Sequence, residues 1–143
     1  MLALRGSRKC VEGTRITMPK KLLIIDDQAG ITKVVGLIAE QLGMEFKALN
    51  SSAAATETFI SYRPDVVMLD MIMPEKDGID VLNEILLTGI RSRIVLTSGF
   101  SDAYLRLAEG VAKFHDTDQV TILKKPFRRE ELIALLKDAA GQA

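Results

Sequence analysis

The sequence predicts a three-layer α/β domain, a parallel sheet covered by helices on both faces. Two observations carry this. From Lys21 onward, five short apolar runs alternate strictly with five longer segments of helical periodicity, the rhythm of right-handed βαβ crossovers. Four of the five runs are continuously apolar, as strands buried on both faces must be. The first run is Leu22-Leu23-Ile24-Ile25, followed by Asp26-Asp27. Ile31, Val34, Val35, Ile38 and Leu42 then recur at helical spacing up to Gly43, a residue suited to ending a helix. Glu45-Phe46-Lys47-Ala48-Leu49 alternates, as a half-exposed strand does. Ser51 or Ser52 is expected to cap a second helix with Ala55, Phe59 and Ile60 as its apolar positions. Val66-Val67-Met68-Leu69 ends in Asp70, and Pro74 to Gly78 supplies turn chemistry before a helix with Ile79, Leu82, Ile85 and Leu86 inward. Ile94-Val95-Leu96 runs into Thr97-Ser98-Gly99, and Tyr104, Leu105, Ala108 and Val111 mark a fourth helix. Val120-Thr121-Ile122-Leu123 leads into Lys124-Lys125-Pro126, and Glu130 to Ala139 closes the pattern with Leu132, Ile133, Leu135 and Leu136 inward.

Composition narrows the function classes. At 143 residues the chain fits one domain of ~100–200 residues, and its 48% hydrophobic and 27% charged content suits a globular core. Nineteen basic residues balance nineteen acidic ones, which argues against a nucleic-acid or anionic-membrane surface. No apolar run approaches the ~20 residues that span a bilayer. The single Cys10 and single His115 exclude an internal disulfide framework and a Cys- or His-rich metal site. Absence of Trp makes a base-stacking surface improbable. The charge is uneven: Arg5, Arg8, Lys9, Arg15 and Lys20 face only Glu12 at the start of the chain. Residues 1–18 therefore read as a flexible basic extension, with an arm for an acidic partner as the functional alternative, and residues 19–140 as the domain.

The chemistry concentrates where the runs end. Asp26-Asp27, Asp70, Thr97-Ser98 and Lys124-Lys125 each follow an apolar run, and ligands of open parallel sheets bind at the carboxyl ends of the strands. Three carboxylates with one ammonium leave an excess of negative charge that a cation would offset. Oxygen donors without Cys or His select Mg²⁺, Mn²⁺ or Ca²⁺ over zinc. A carboxylate can attack phosphorus to give an aspartyl phosphate, with lysine and a hydroxyl binding the phosphoryl oxygens.

These residues resemble the receiver domain of two-component response regulators. The resemblance rests on Asp26-Asp27 after the first strand, Asp70 after the third, Met73-Pro74 through Asp77-Gly78, Ser98-Gly99, and Lys125-Pro126-Phe127. It covers about residues 19–140 and implies a flavodoxin-like doubly wound sheet in the order 2-1-3-4-5. It further implies that Asp70 accepts a phosphoryl group from a sensor histidine kinase or a histidine phosphotransfer protein. Asp26, Asp27, Asp70 and the backbone carbonyl of Ile72 would hold Mg²⁺, with Mn²⁺ as an alternative. Lys125 would pair with Asp70, Pro126 would follow a cis peptide, and Ser98 rather than Thr97 would be the switch hydroxyl, Thr97 facing the interior or the adjacent helix.

Two departures stand out against the family pattern. The stretch from Ser98 to Lys125 is longer than usual, placing extra chain around His115-Asp116-Thr117-Asp118-Gln119, where His115 reads as a solvated loop residue. Ile122 occupies the position at which receivers usually carry Tyr or Phe. Ile72 and Phe100 fall on the positions that flank the path of a water attacking the phosphoryl group. Lys124 reads as a solvated neighbour, and Met68, Met71 and Met73 as core and loop packing. Lys124, Lys125, Arg128 and Arg129 read as a helix-start surface. The expectation is a stand-alone cytoplasmic response regulator, not an enzyme acting on other substrates. Its outputs are a downstream protein on the helix 4–strand 5–helix 5 face, or a homodimer, without nucleic acid or membrane. A phosphorylation-independent interaction module is the alternative. A haloacid-dehalogenase-like phosphatase is a weaker one, because its acid–base aspartate would fall at Ile72.

Overall fold

A computed structural model of the chain describes residues 10–12, 15–99, 102–117 and 119–141. Strands and helices alternate as β1 (Lys21–Ile25), α1 (Ala29–Gln41), β2 (Glu45–Leu49), α2 (Ala55–Tyr62), β3 (Val66–Asp70), α3 (Gly78–Leu87), β4 (Arg93–Ser98), α4 (Asp102–Phe114), β5 (Val120–Lys124) and α5 (Arg129–Ala139). The five strands form one parallel sheet in the order β2-β1-β3-β4-β5, the expected doubly wound topology. Ahead of it, where the sequence suggests no regular element, Cys10–Glu12 pairs antiparallel with Arg15–Thr17. Among the described residues no helix is long and apolar enough to cross a membrane.

Strand alternation divides the core in two. Leu23, Ile25, Val67, Leu69, Ile94 and Leu96 face α2, α3 and α4, meeting Phe59, Val81, Leu82, Ile85 and Ala108. Leu22, Ile24, Val66, Met68, Val95 and Leu123 face α1 and α5, meeting Val35, Ile38, Ala39, Leu132 and Leu136. Each of the fully buried Leu and Ile side chains contributes about 1.5–3 kcal/mol relative to exposure. Met68, Met71 and Met73 are all buried in this packing, as expected.

Three local readings are corrected. Val34 and Ile60 are 54% and 45% exposed, because the inward stripe of α1 runs through Val35, Ile38 and Ala39 and that of α2 through Ala55 and Phe59. Neither Ser51 nor Ser52 caps α2: its N-cap is Ala54, without a side-chain hydrogen bond. His115, in the turn after α4, is not fully solvated. It is half-buried, with Nε2 2.8 Å from Asn83 Oδ1 on α3, and its ring stands edge-on to Phe114. The inward readings of Tyr104 and Leu105, and those at Phe100 and Asp118, lie outside the described residues and side chains.

One glycine is required by the fold. A Cβ on Gly78 would collide with the Asp70 carbonyl oxygen and lie 2.5 Å from Met71 Cα. The Gly78 N–H also donates to the Met71 carbonyl at 2.7 Å, closing the β3–α3 connection. Gly78→Ala is expected to destabilise the protein by about 1–3 kcal/mol, since backbone atoms must move. Gly110→Ala in α4, where a Cβ meets nothing within 4 Å, is expected to add about 0.5–1 kcal/mol through helix propensity. Denaturant unfolding of the two variants checks both signs.

Candidate functional site

Register assembles the site. Ile25 lies opposite Leu69, so Asp26 and Asp70 leave the ends of β1 and β3 side by side. Thr97 lies opposite Asp70, and Ser98 opposite Lys124. The Met71 N–H donates to the Thr97 carbonyl at 3.0 Å and the Lys125 N–H to the Ser98 carbonyl at 2.8 Å. These bonds carry the ladder one residue past the strands and bring Lys125 to the carboxylates. The peptide between Lys125 and Pro126 is cis, as expected.

Asp26 and Asp70 are only 2% and 6% exposed, whereas Asp27 faces solvent. One ligand oxygen from each of the three carboxylates lies within 4.8 Å of the others. Lys125 Nζ stands 3.0 Å from Asp26 Oδ2 and 3.6 Å from Asp70 Oδ2. The remaining oxygens are held by backbone: Gln28 N–H donates to Asp26 Oδ1 at 2.9 Å, and Ile72 N–H to Asp70 Oδ1 at 3.4 Å. One ammonium does not balance three carboxylates. Burial, and then the charge of Asp26, push the Asp70 carboxyl up to about 6 against the pull of Lys125. Crowded oxygen donors with surplus negative charge fit a hard divalent cation.

The sequence-predicted Asp26, Asp27, Asp70 and Lys125 thus converge, with the Ile72 peptide beside Asp70. Thr97 and Ser98 are both buried at the same strand end. Alternation puts Thr97 on the α1/α5 face with Leu123, and Ser98 on the α4 face with Leu96 and Ile122. Lys124 is exposed at the end of the edge strand. Of the basic cluster, Arg129 hydrogen-bonds Gln41 of α1 and Arg128 opens α5, its N–H held by Glu131.

Two contributors escaped sequence reading. Asn50 Nδ2 donates to the Asp26 carbonyl at 2.9 Å and to Thr32 Oγ1 at 3.1 Å, fixing the peptide that joins Asp26 to Asp27. Ser52 Oγ accepts the Lys76 N–H at 2.8 Å. Both follow the end of β2, where the rule used for the other strand ends could have flagged them.

A family model described as the response regulator receiver domain matches residues 22–137. The chain is 27% identical over 124 residues to the regulatory protein AtoC of Escherichia coli, covering 87% of this chain and 26% of that protein. It is 30% identical over 126 residues to the transcriptional regulatory protein PdtaR of Mycobacterium tuberculosis, covering 87% of this chain and 58% of that one. It therefore spans from about a quarter to somewhat over half the length of these relatives. Among solved structures, the chemotaxis protein CheY4 of Vibrio cholerae superposes with a TM-score of 0.74 at 21% identity, over 85% of this chain and 98% of that one.

The raised Asp70 carboxyl makes stability depend on pH. A carboxyl at about 6 when folded and 3.8 when unfolded keeps its proton preferentially in the fold. Its stabilising effect is complete below the unfolded value and is lost as pH rises through about 6. In EDTA, Asp70→Asn is expected to gain about 2–3 kcal/mol over the parent between pH 4 and pH 7, at ~1.4 kcal/mol for each tenfold difference in proton affinity. Denaturant titrations of both proteins across that window check it, and a pH-independent difference contradicts it.

Proposed function

The chain belongs to the response regulator receiver domain family, and from this we propose that Asp70 accepts a phosphoryl group from a phosphohistidine. The donor would be a sensor histidine kinase or a histidine phosphotransfer protein. The observation that carries the reading is Asp70 itself: a carboxylate 6% exposed at the end of the central strand, with Lys125 Nζ 3.6 Å away.

On this reading Asp26, Asp27, Asp70 and the Ile72 carbonyl would hold Mg²⁺, with Mn²⁺ as an alternative. The bound ion supplies positive charge to the carboxylates and to phosphoryl oxygens. An Asp70 carboxylate oxygen attacks phosphorus; the P–O bond forms, the P–N bond breaks, and the imidazole leaves with the electron pair. Lys125 stays beside the new aspartyl phosphate, and Ser98, one residue beyond Asp70's register partner, would supply the hydroxyl that follows the phosphoryl group. The protein would catalyse only its own phosphorylation and dephosphorylation. A phosphatase of the haloacid dehalogenase type is disfavoured by Ile72, which cannot act as acid or base.

The phosphoryl signal would pass to a downstream protein, or a second copy, through α4, β5 and α5 in the cytoplasm, without nucleic acid. Leu107 and Phe114 on the outer side of α4, 56% and 83% exposed, support that surface. Ile122 supports a second reading, an interaction module that needs no phosphorylation. It packs against the core as a half-buried aliphatic residue in place of a ring that could turn.

Acetyl phosphate with Mg²⁺ is expected to add one phosphoryl group, seen by intact mass, and none to Asp70→Asn or in EDTA. Labelling of Asp70→Asn equal to the parent removes Asp70 from this role, and an unlabelled parent favours the module. Once formed, the phosphoryl group should decay slowly. Ile72 is a half-buried core neighbour that offers attacking water no side-chain hydrogen bond, and its companion Phe100 lies outside the described residues. Restoring one hydrogen bond with Ile72→Asn is expected to speed dephosphorylation by roughly tenfold, or about 1–2 kcal/mol. Following the loss of the phosphorylated mass over time tests this.

A further inference from the structure

The connection from Met71 to Asp77 is the segment that carries the Ile72 carbonyl, and it is held at more points than its ends. Met71 and Gly78 close its base, and Asp77 accepts the N–H groups of Ile79 and Asp80 to start α3. In between, the Lys76 N–H donates to Ser52 Oγ at 2.8 Å. Ser52 is 0% exposed and lies just before α2, which does not use its hydroxyl as a cap. A second tie runs outside it. Lys76 Nζ pairs with both Glu84 oxygens at 2.8 and 2.9 Å, and Glu84 Oε1 also accepts the Thr56 hydroxyl.

The two ties differ in weight. Lys76 and Glu84 side chains are 34% and 38% exposed, so solvent screens their attraction. The Ser52 bond is part-buried, with Ser52 itself fully enclosed, and removing its acceptor leaves a backbone N–H without a partner in a half-buried loop. A short segment fixed at both ends and at Lys76 has few ways to move the Ile72 peptide.

We propose that Ser52 is a positioning residue, whose bond to the Lys76 backbone holds the Met71–Asp77 connection so that the Ile72 carbonyl can serve the cation site. This deepens the phosphoryl-acceptor reading and rests on it. Residues that orient metal ligands without touching the ion change affinity by about 10–100-fold. Ser52 acts through a loop, one step further from the ion, so an effect at or below the lower limit of that range is expected.

The test uses the full chain, with Mg²⁺ titrated against backbone amide shifts and hydrogen exchange read at residues 72–77. Ser52→Ala is expected to weaken Mg²⁺ binding by about 3- to 10-fold and to speed exchange at residues 72–77 above the core. Acetyl phosphate labelling should show the split: a higher half-saturating Mg²⁺ concentration and a maximal rate close to the parent's. Ser52→Cys, which keeps the volume but is a weak acceptor, provides the same comparison should the alanine variant unfold. Lys76→Ala retains the backbone N–H and is expected to shift Mg²⁺ affinity by less than about twofold. A Ser52 variant that binds Mg²⁺ as tightly as the parent overturns the positioning role alone. A parent that binds no Mg²⁺ at millimolar concentration overturns the phosphoryl-acceptor reading and this inference with it.

Discussion

The structure depends on keeping three carboxylates together at the carboxyl end of a sheet although their charges repel one another. Burial, and then the charge of Asp26 beside it, raise the proton affinity of Asp70. Lys125 relieves it only in part. It stands closer to Asp26 than to Asp70, leaving Asp70 the less compensated of the two buried groups. A carboxylate in that condition invites a cation and, beside one, an electrophile. The electrostatic strain of the site and its chemistry are one property.

Much of the fold serves to hold that arrangement. The parallel register decides which strand ends are neighbours, and the backbone bonds from Met71 and Lys125 extend it into the loops. Gly78 lets α3 approach the end of β3 more closely than any side chain allows. Asn50 and Ser52, from the connection after β2, hold the acidic turn and the β3–α3 connection respectively. Removing water from Asp26 and Asp70 is therefore matched by fixing the peptides around them, so that compensating groups need not be found by reorganisation.

The departures from the family pattern fall away from this centre. The extra chain before β5 enters that strand at its amino end, whereas the carboxylates lie at the carboxyl ends. There α4 runs on to Phe114, Asp116 adopts a left-handed turn, and His115 ties α4 to Asn83 of α3. Ile122 adds an aliphatic contact to the core on the α4 side. Both changes lie at α4 and β5 and spare the groups around Asp70.

The element order, the parallel sheet and the principal site were legible in the chain itself. Period-two and helical patterns are local, and Asp26, Asp27, Asp70 and Lys125 each sit where an apolar run stops, which one-dimensional reading detects. Helix faces were read less well: Val34 and Ile60 fit the spacing but fall just outside the buried stripe, whose direction depends on the neighbouring elements. Ser52 resembles an ordinary helix cap, and only tertiary structure turns its hydroxyl toward a backbone N–H 24 residues away. His115 is a turn residue by local pattern, and only the packing of α3 brings Asn83 to its ring across 32 residues. Within the α/β domain, the strands, the helices and the residues at the carboxyl ends of the strands follow from local pattern, and the sequence alone determined them. Tertiary structure alone decided which buried polar groups meet, because a hydrogen bond between distant segments depends on how the whole chain packs.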